Sequence, residues 1–200
     1  MNSLALENNE QGAMNPKVFM LWSFLGTIIM MFAGLTSAYI VRMGAGDWML
    51  YKLPNMFWIS TAIIVLSSVT LYWSFQALKK ENLQQHMLGL GITLLLGLAF
   101  VFTQYSGWQE LTSYGVRLQG NPSGSFLYII SGLHALHVIG GVVFLVIFFM
   151  KSMFKKDPVD KLLEEFNPDR NLGYKLLNTY WHFVGVLWLY LFIFFWYNSF

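Results

Sequence analysis

The stretch that decides the fold runs from Tyr180 to Phe195 and reads YWHFVGVLWLYLFIFF. It lies in a run without Asp, Glu, Lys or Arg that extends from Leu176 to Phe200. A membrane-spanning helix needs about 20 apolar residues, so this run is long enough to cross a bilayer. His182 is the one histidine in the run, and an ionisable side chain inside a membrane span requires both a functional and a structural interpretation.

The composition of the whole chain indicates a bilayer as solvent. Of the 200 residues, 56% are apolar and 11% are charged, whereas soluble domains carry about 25% charged residues. The absence of cysteine excludes disulfides and thiolate-bound metals. A net charge of +2 gives no indication of a nucleic-acid partner.

Four further windows lack charged residues, and all 22 charged residues lie outside the five windows. None of the windows shows the polar face at a 3.6-residue period that a soluble helix needs. Inside hydrocarbon each backbone polar group must be satisfied within its own segment, so long apolar segments form helices. The sequence therefore predicts an all-α integral membrane protein, a bundle of five transmembrane helices at about 18–41, 53–78, 87–109, 124–150 and 176–200. Residues 17–200 are predicted to form a single membrane domain after a polar N-terminal tail at 1–16, which lacks the basic start of a signal peptide.

Basic residues predict the orientation, because loops rich in Lys and Arg stay in the cytoplasm. One set of loops holds nine basic residues: Lys17, Lys79, Lys80, Lys151, Lys155, Lys156, Lys161, Arg170 and Lys175. The other set holds Arg42, Lys52 and Arg117. We therefore expect a cytoplasmic N-terminus and a periplasmic C-terminus.

Small residues four apart predict close helix–helix contacts. These rows are Ala33 with Ser37 and Gly34 with Ala38 in the first helix, and Gly89, Thr93 and Gly97 in the third. Polar and amphipathic residues near the predicted helix ends are expected to anchor the chain at the membrane surface. They are Tyr39, Trp48, Gln104, Tyr105, Trp108, Gln109, Glu110 and Trp181.

His134 and His137 are three residues apart in the fourth helix and therefore share one face. They could bind a metal, ligate a haem opposite His182, or pack and form hydrogen bonds with neighbouring helices. At 1.5 Å per residue, His137 lies roughly 20 Å and His182 roughly 10 Å from the inner face, which argues against a shared haem. No window contains a carboxylate that could complete a metal site. The sequence therefore predicts no catalytic, cofactor-binding or metal-binding residue on this chain.

Four motifs closely resemble subunit III of the haem–copper respiratory oxidases, that is, cytochrome c oxidase subunit III. The first helix carries MFAGL before Ala38 and Tyr39, and the third carries Gln104 followed by WQEL at 108–111. The other two are GLHALHV at 132–138 and YWHFV at 180–184, which are the more specific. The family-motif and packing residues are His134, His137, Tyr180, Trp181, His182 and Phe183.

The resemblance implies a short, five-helix bacterial form in the inner membrane. It implies an accessory, non-redox subunit of a proton-pumping terminal oxidase that reduces oxygen to water in aerobic electron transport. Haem and copper are then expected in partner subunit I, which this chain would support directly, with subunit II and other chains in the same complex. Bound phospholipid is expected in a cleft between the first two helices and the last three, with Lys17, Arg42 and Lys52 as possible contacts to lipid phosphates.

Two positions depart from the family pattern. Many members carry a glutamate where this chain has Ile28, and Asp or Glu where it has Gly185. Their absence weakens the interpretation that this chain relays protons. Three alternatives remain open: subunit III of a quinol oxidase, a haem-b or quinone membrane-anchor subunit, and a small transporter.

Overall fold

A computed structural model describes residues 15–46, 48–153 and 172–199. Within them lie five α-helices and no strand: α1 (Pro16–Met43), α2 (Asn55–Lys79), α3 (Leu83–Ser113), α4 (Pro122–Met153) and α5 (Leu172–Tyr197). Each helix is long and apolar enough to cross a membrane. The predicted five-helix membrane fold is confirmed. Most of the predicted polar tail and much of the basic loop after α4 lie outside the described residues.

The helices extend beyond the charge-free windows at most of their ends. α3 differs most, since it begins at Leu83 rather than Met87 and ends at Ser113 rather than Gln109. Its start is fixed by Asn82, whose side-chain oxygen accepts a hydrogen bond from the backbone N–H of Gln85 at 3.1 Å. Polar residues continue a helix beyond the hydrocarbon layer, so the loss of hydrophobicity does not mark the last helical residue.

α2 and α3 form a tight antiparallel pair with the most extensive contact of any two helices. The turn between them places Glu81 at φ +58°, in the left-handed region. A side chain added at Gly89 would lie 2.6 Å from the Ser74 Cβ, and the hydroxyls of Thr70 and Thr93 are 2.8 Å apart. The close approach predicted for the small residues of α3 is confirmed.

α5 lies at the centre of the bundle, in contact with α1, α2 and α4, whereas α1 packs on α4 and α5 alone among the described helices. The expected separation of the first two helices from the last three is therefore wrong. α2 belongs with α3 and α5, because the short turn and the small residues of α3 bring α2 and α3 together. A lipid-filled cleft cannot occupy the position we expected.

The small-residue row of α1 faces away from the bundle. Ala33, Gly34, Ser37 and Ala38 are all exposed, and an added Cβ at Gly34 would meet no atom within 4 Å. The buried face of α1 carries larger residues instead, including Leu25, Ile28 and Phe32. Within the described chain, this row makes no close helix–helix contact of the kind its spacing predicts.

Candidate functional site

His134 lies at the point where four helices meet. The side chain is fully buried on α4, with its ring centroid 5.1 Å from that of Trp188, 6.0 Å from that of Phe100 and 6.4 Å from that of Phe32. Neither ring nitrogen has a hydrogen-bond partner among the residues that the structure describes. The imidazole therefore acts here as one more ring in an aromatic core, and its unpaired nitrogens make that position costly.

His137 connects α4 to α5 through its backbone. Its ring nitrogen Nδ1 lies 2.7 Å from the carbonyl oxygen of Leu133 on the same helix, and its ring, like that of His134, contacts Phe32. The Tyr180 hydroxyl donates a hydrogen bond to the His137 carbonyl oxygen at 2.9 Å. Two motif residues from different helices are thus joined directly.

Trp181 is buried in the core and does not anchor the chain at the membrane surface as the sequence suggested. Its indole Nε1 donates to the Ser67 hydroxyl of α2 at 3.0 Å, and 1% of the residue is exposed. The ring fills space left by two glycines: an added Cβ would lie 2.8 Å from it at Gly97 and 3.1 Å from it at Gly141. Since the window around Trp181 is apolar on every side, the sequence did not reveal which way the indole points.

Two other expected anchors are also buried. Tyr39 has no exposed surface, and its hydroxyl lies 3.1 Å from that of Tyr51 in the following loop. Gln104 is 1% exposed and donates through Nε2 to the Ser60 hydroxyl at 2.9 Å. The Gln104 bond joins α3 to α2, as interhelical hydrogen bonds do in membrane bundles, and the Tyr39 bond joins α1 to the loop that follows it, which explains why both polar groups lie inside. Tyr105, in contrast, is exposed.

Glu110 has a structural role that the sequence did not indicate. Its carboxylate accepts hydrogen bonds from the backbone N–H groups of Asn55 and Met56 at 3.1 and 3.3 Å, and from the Tyr114 hydroxyl at 2.7 Å. It thereby caps the first turn of α2 from a different helix. Pro54 precedes α2 and has no side-chain group that could cap it, so the sequence indicates that a cap must come from elsewhere in the chain.

His182 projects into a groove between α2 and α5. The groove has a volume of about 150 Å³ and is lined by Ile64, Val65, Ser68, His182, Gly185, Val186 and Leu189. Because residues two apart on a helix point in nearly opposite directions, His182 faces α2 while Tyr180 faces α4. The two histidine-bearing motifs therefore do not form one site.

The expected difference in depth between His137 and His182 is wrong. Tyr180 reaches the His137 carbonyl, so these parts of α4 and α5 lie at one level. That expectation requires the inner ends of the two charge-free windows to lie at one depth. Because α4 and α5 extend past those ends by similar lengths, to Met153 and from Leu172, the Tyr180–His137 contact places the two ends at different depths. A haem shared by His182 and the α4 histidines is disfavoured by direction instead, since their rings lie on different sides of α5.

The remaining candidate residues do not converge. Lys17, Arg42 and Lys52 are all exposed, with Lys17 in the first turn of α1 and Arg42 in its last. No group of three potential metal ligands occurs in the described part of the chain. Phe183 is partly buried at the edge of the core. Gln104, Tyr180 and Trp181 therefore join helices to one another, and the candidate residues in the described chain do not assemble into a catalytic constellation.

These features define a multi-pass α-helical membrane protein in which the motif residues Tyr180 and His137 join α5 to α4. Within this class, the family model described as cytochrome c oxidase subunit III matches residues 18–200. The chain belongs to this family. It is 32% identical to the cytochrome c oxidase subunit 3 of Papio hamadryas and of Homo sapiens, and 30% identical to that of Hippopotamus amphibius. Each similarity extends over 142 residues, 70% of this chain and 50% of the relative, so the chain spans about half the length of the curated relatives it matches.

Proposed function

We propose that this chain is an accessory, non-redox subunit of a proton-pumping cytochrome c oxidase. In this role it supports subunit I, which carries the haems and copper, within a complex that includes subunit II. The observation that carries the proposal is the family match over residues 18–200. A bundle in which motif residues of α5 bond to neighbouring helices, Tyr180 to His137 of α4 and Trp181 to Ser67 of α2, suits a supporting role.

The proposal includes a location and an orientation. We place the chain in a bacterial inner membrane, with residues 17–200 as one domain, the N-terminus in the cytoplasm and the C-terminus in the periplasm. The excess of basic residues on one side supports this orientation. The exposed positions of Lys17, Arg42 and Lys52 support contacts to lipid phosphates near the two faces.

A quinol oxidase subunit III is the second candidate, because the family resemblance implies that both oxidase classes use this subunit. A haem-b or quinone anchor is less well supported. It would need imidazoles facing a common space, whereas His134 faces an aromatic core and His182 faces the α2–α5 groove.

Purification of the native complex through this chain tests the proposal. We expect subunits I and II among the co-purifying chains, with haem and copper bound to subunit I. Removal of this chain should leave the haem absorption spectrum unchanged and shorten the time for which the oxidase sustains turnover. A complex without a haem–copper subunit, or one in which haem leaves together with this chain, would contradict the proposal.

A further inference from the structure

The α2–α5 groove combines an apolar lining with two polar side chains. Val65 and Ile64 of α2 and Val186 and Leu189 of α5 form most of its walls. Ser68 and His182 are the polar residues that line it. The groove exists because position 185 is glycine: a Cβ there would lie 3.1 Å from the Ser68 hydroxyl oxygen.

Neither polar group of the groove has a hydrogen bond to the described parts of the chain. Neighbouring hydroxyls behave differently, since Ser67 donates to the Ile64 carbonyl at 2.7 Å and Thr70 donates to that of Ser67 at 2.9 Å. A polar group exposed to hydrocarbon without a partner is unfavourable. The Ser68 hydroxyl and the His182 imidazole therefore require a partner from outside this bundle.

The depth of the groove limits what that partner is. Gly185 lies near the middle of α5 (Leu172–Tyr197), a helix long enough to cross the membrane. The groove beside it therefore lies near the midplane of the hydrocarbon core, which is about 30 Å thick. Lipid headgroups do not reach this depth, and acyl chains carry no hydrogen-bonding group.

We propose that the groove receives a polar side chain from a transmembrane helix of a partner oxidase subunit. Its carboxyl, amide or hydroxyl group bonds to His182 and Ser68, and its aliphatic part contacts Val65 and Val186. Polar side chains commonly join transmembrane helices in this way. The inference rests on the proposed function, because it requires that the chain assemble with other membrane-spanning subunits.

Site-specific photo-crosslinking in the native complex tests this assignment. A photoreactive amino acid replaces Val65, which lines the groove and is 43% exposed, or its neighbour Leu66, which is 56% exposed and does not line it. We expect illumination to join position 65 to a peptide of another subunit, identified by mass spectrometry. The Leu66 variant, the matched control, should give a several-fold lower yield of this product.

Three outcomes would overturn the assignment. The first is a lipid or quinone adduct in place of a peptide at position 65. The second is an equal peptide yield at positions 65 and 66, and the third is insertion of water alone. Each excludes a partner side chain as the occupant of the groove. If the haem–copper subunit is present in the same preparation, the proposed function stands while the docking site fails. If it is absent, both fail.

Two substitutions measure the hydrogen bonds. His182→Phe and Ser68→Ala each remove a polar group that has no partner in the described chain, so neither breaks a bond that holds the bundle together. Each should weaken association with the partner subunit by about three- to tenfold, which corresponds to one interhelical hydrogen bond. Tyr105→Phe, on an exposed part of α3, is the control. Unchanged association in both variants would overturn the proposal.

Discussion

The Glu110 carboxylate accepts a hydrogen bond from the backbone N–H of Asn55 at 3.1 Å, so the last turns of α3 cap the first turn of α2. The first N–H groups of a helix have no partner within it. Pro54, at the N-cap position, supplies no side-chain oxygen. A carboxylate from the neighbouring helix replaces the missing cap and also suits the positive end of the helix dipole.

Replacement of Glu110 by Ala should therefore destabilise the fold at this end. We expect a loss of about 1 kcal/mol, the usual effect of removing a capping side chain. Thermal unfolding of the detergent-solubilised chain measures it. Gln109→Ala, an exposed neighbour, is the matched control and should leave the stability unchanged. An equal effect of the two substitutions would show that the carboxylate does not act as a cap.

Replacement of Gly89 by Ala should separate α2 from α3. The new Cβ would lie 2.6 Å from the Ser74 Cβ and 3.0 Å from its Cα, so backbone must move. Overpacking of this kind costs about 1–3 kcal/mol. Gly34→Ala is the control, since nothing lies within 4 Å of its Cβ. The unfolding temperatures of the two variants should differ accordingly, and equal temperatures would contradict the close packing.

The sequence predicted the helices but not the direction of their faces. Windows that are apolar on all sides indicate a membrane span, because a charged side chain inside hydrocarbon is costly. The same uniformity removes the polar face that would distinguish inside from outside. The sequence therefore predicts Trp181 at the membrane surface, although its indole bonds to Ser67, and close packing of the row around Gly34, although that row is exposed. Tertiary partners such as Glu110 and Asn55 are 55 residues apart, beyond any local pattern.

The Tyr51 phenol gives the fold a dependence on alkaline pH. Burial, and next the adjacent Tyr39, raise the pKa of Tyr51 well above its ordinary value of 10.0. Because the folded state keeps the proton more strongly, the corresponding stability is complete below about pH 10 and is lost as the pH rises through the folded-state pKa. Tyr51→Phe lacks this loss. Above about pH 10, the unfolding temperature of this variant should rise relative to that of the unaltered chain. A difference between the two unfolding temperatures that does not change with pH would contradict the argument. Tyr197→Phe, which is highly exposed, serves as the control.

Replacement of both His134 and His137 by Phe should leave haem and copper in the assembled complex unchanged. His134 has no hydrogen-bond partner in the described chain and lies among aromatic rings, so a Phe ring at this position removes an unpaired polar group. For His134→Phe alone, we expect the stability to stay the same or to rise by about 1 kcal/mol. The absorption spectrum and metal analysis of the purified complex provide the measurement. Loss of haem or copper from a correctly assembled complex would refute the packing role.

The two positions that lack the family's usual carboxylates should respond differently when an acid is introduced. Ile28 is 2% exposed and belongs to the hydrophobic core, so Ile28→Glu places an ionisable group in apolar surroundings at a cost of about 2.5–3.5 kcal/mol. Gly185 opens onto the groove, where a Cβ would lie 3.1 Å from the Ser68 hydroxyl and His182 lines the same space. In Gly185→Asp the Ser68 hydroxyl can therefore donate a hydrogen bond to the new carboxyl group, and we expect a smaller loss of stability than in Ile28→Glu. Membrane expression level and unfolding temperature of the two variants measure the difference. If Ser68→Ala in the Gly185→Asp background causes no further loss of stability, the Ser68 hydroxyl does not donate a hydrogen bond to the Asp carboxyl group. The difference between the Ile28→Glu and Gly185→Asp variants then has another cause.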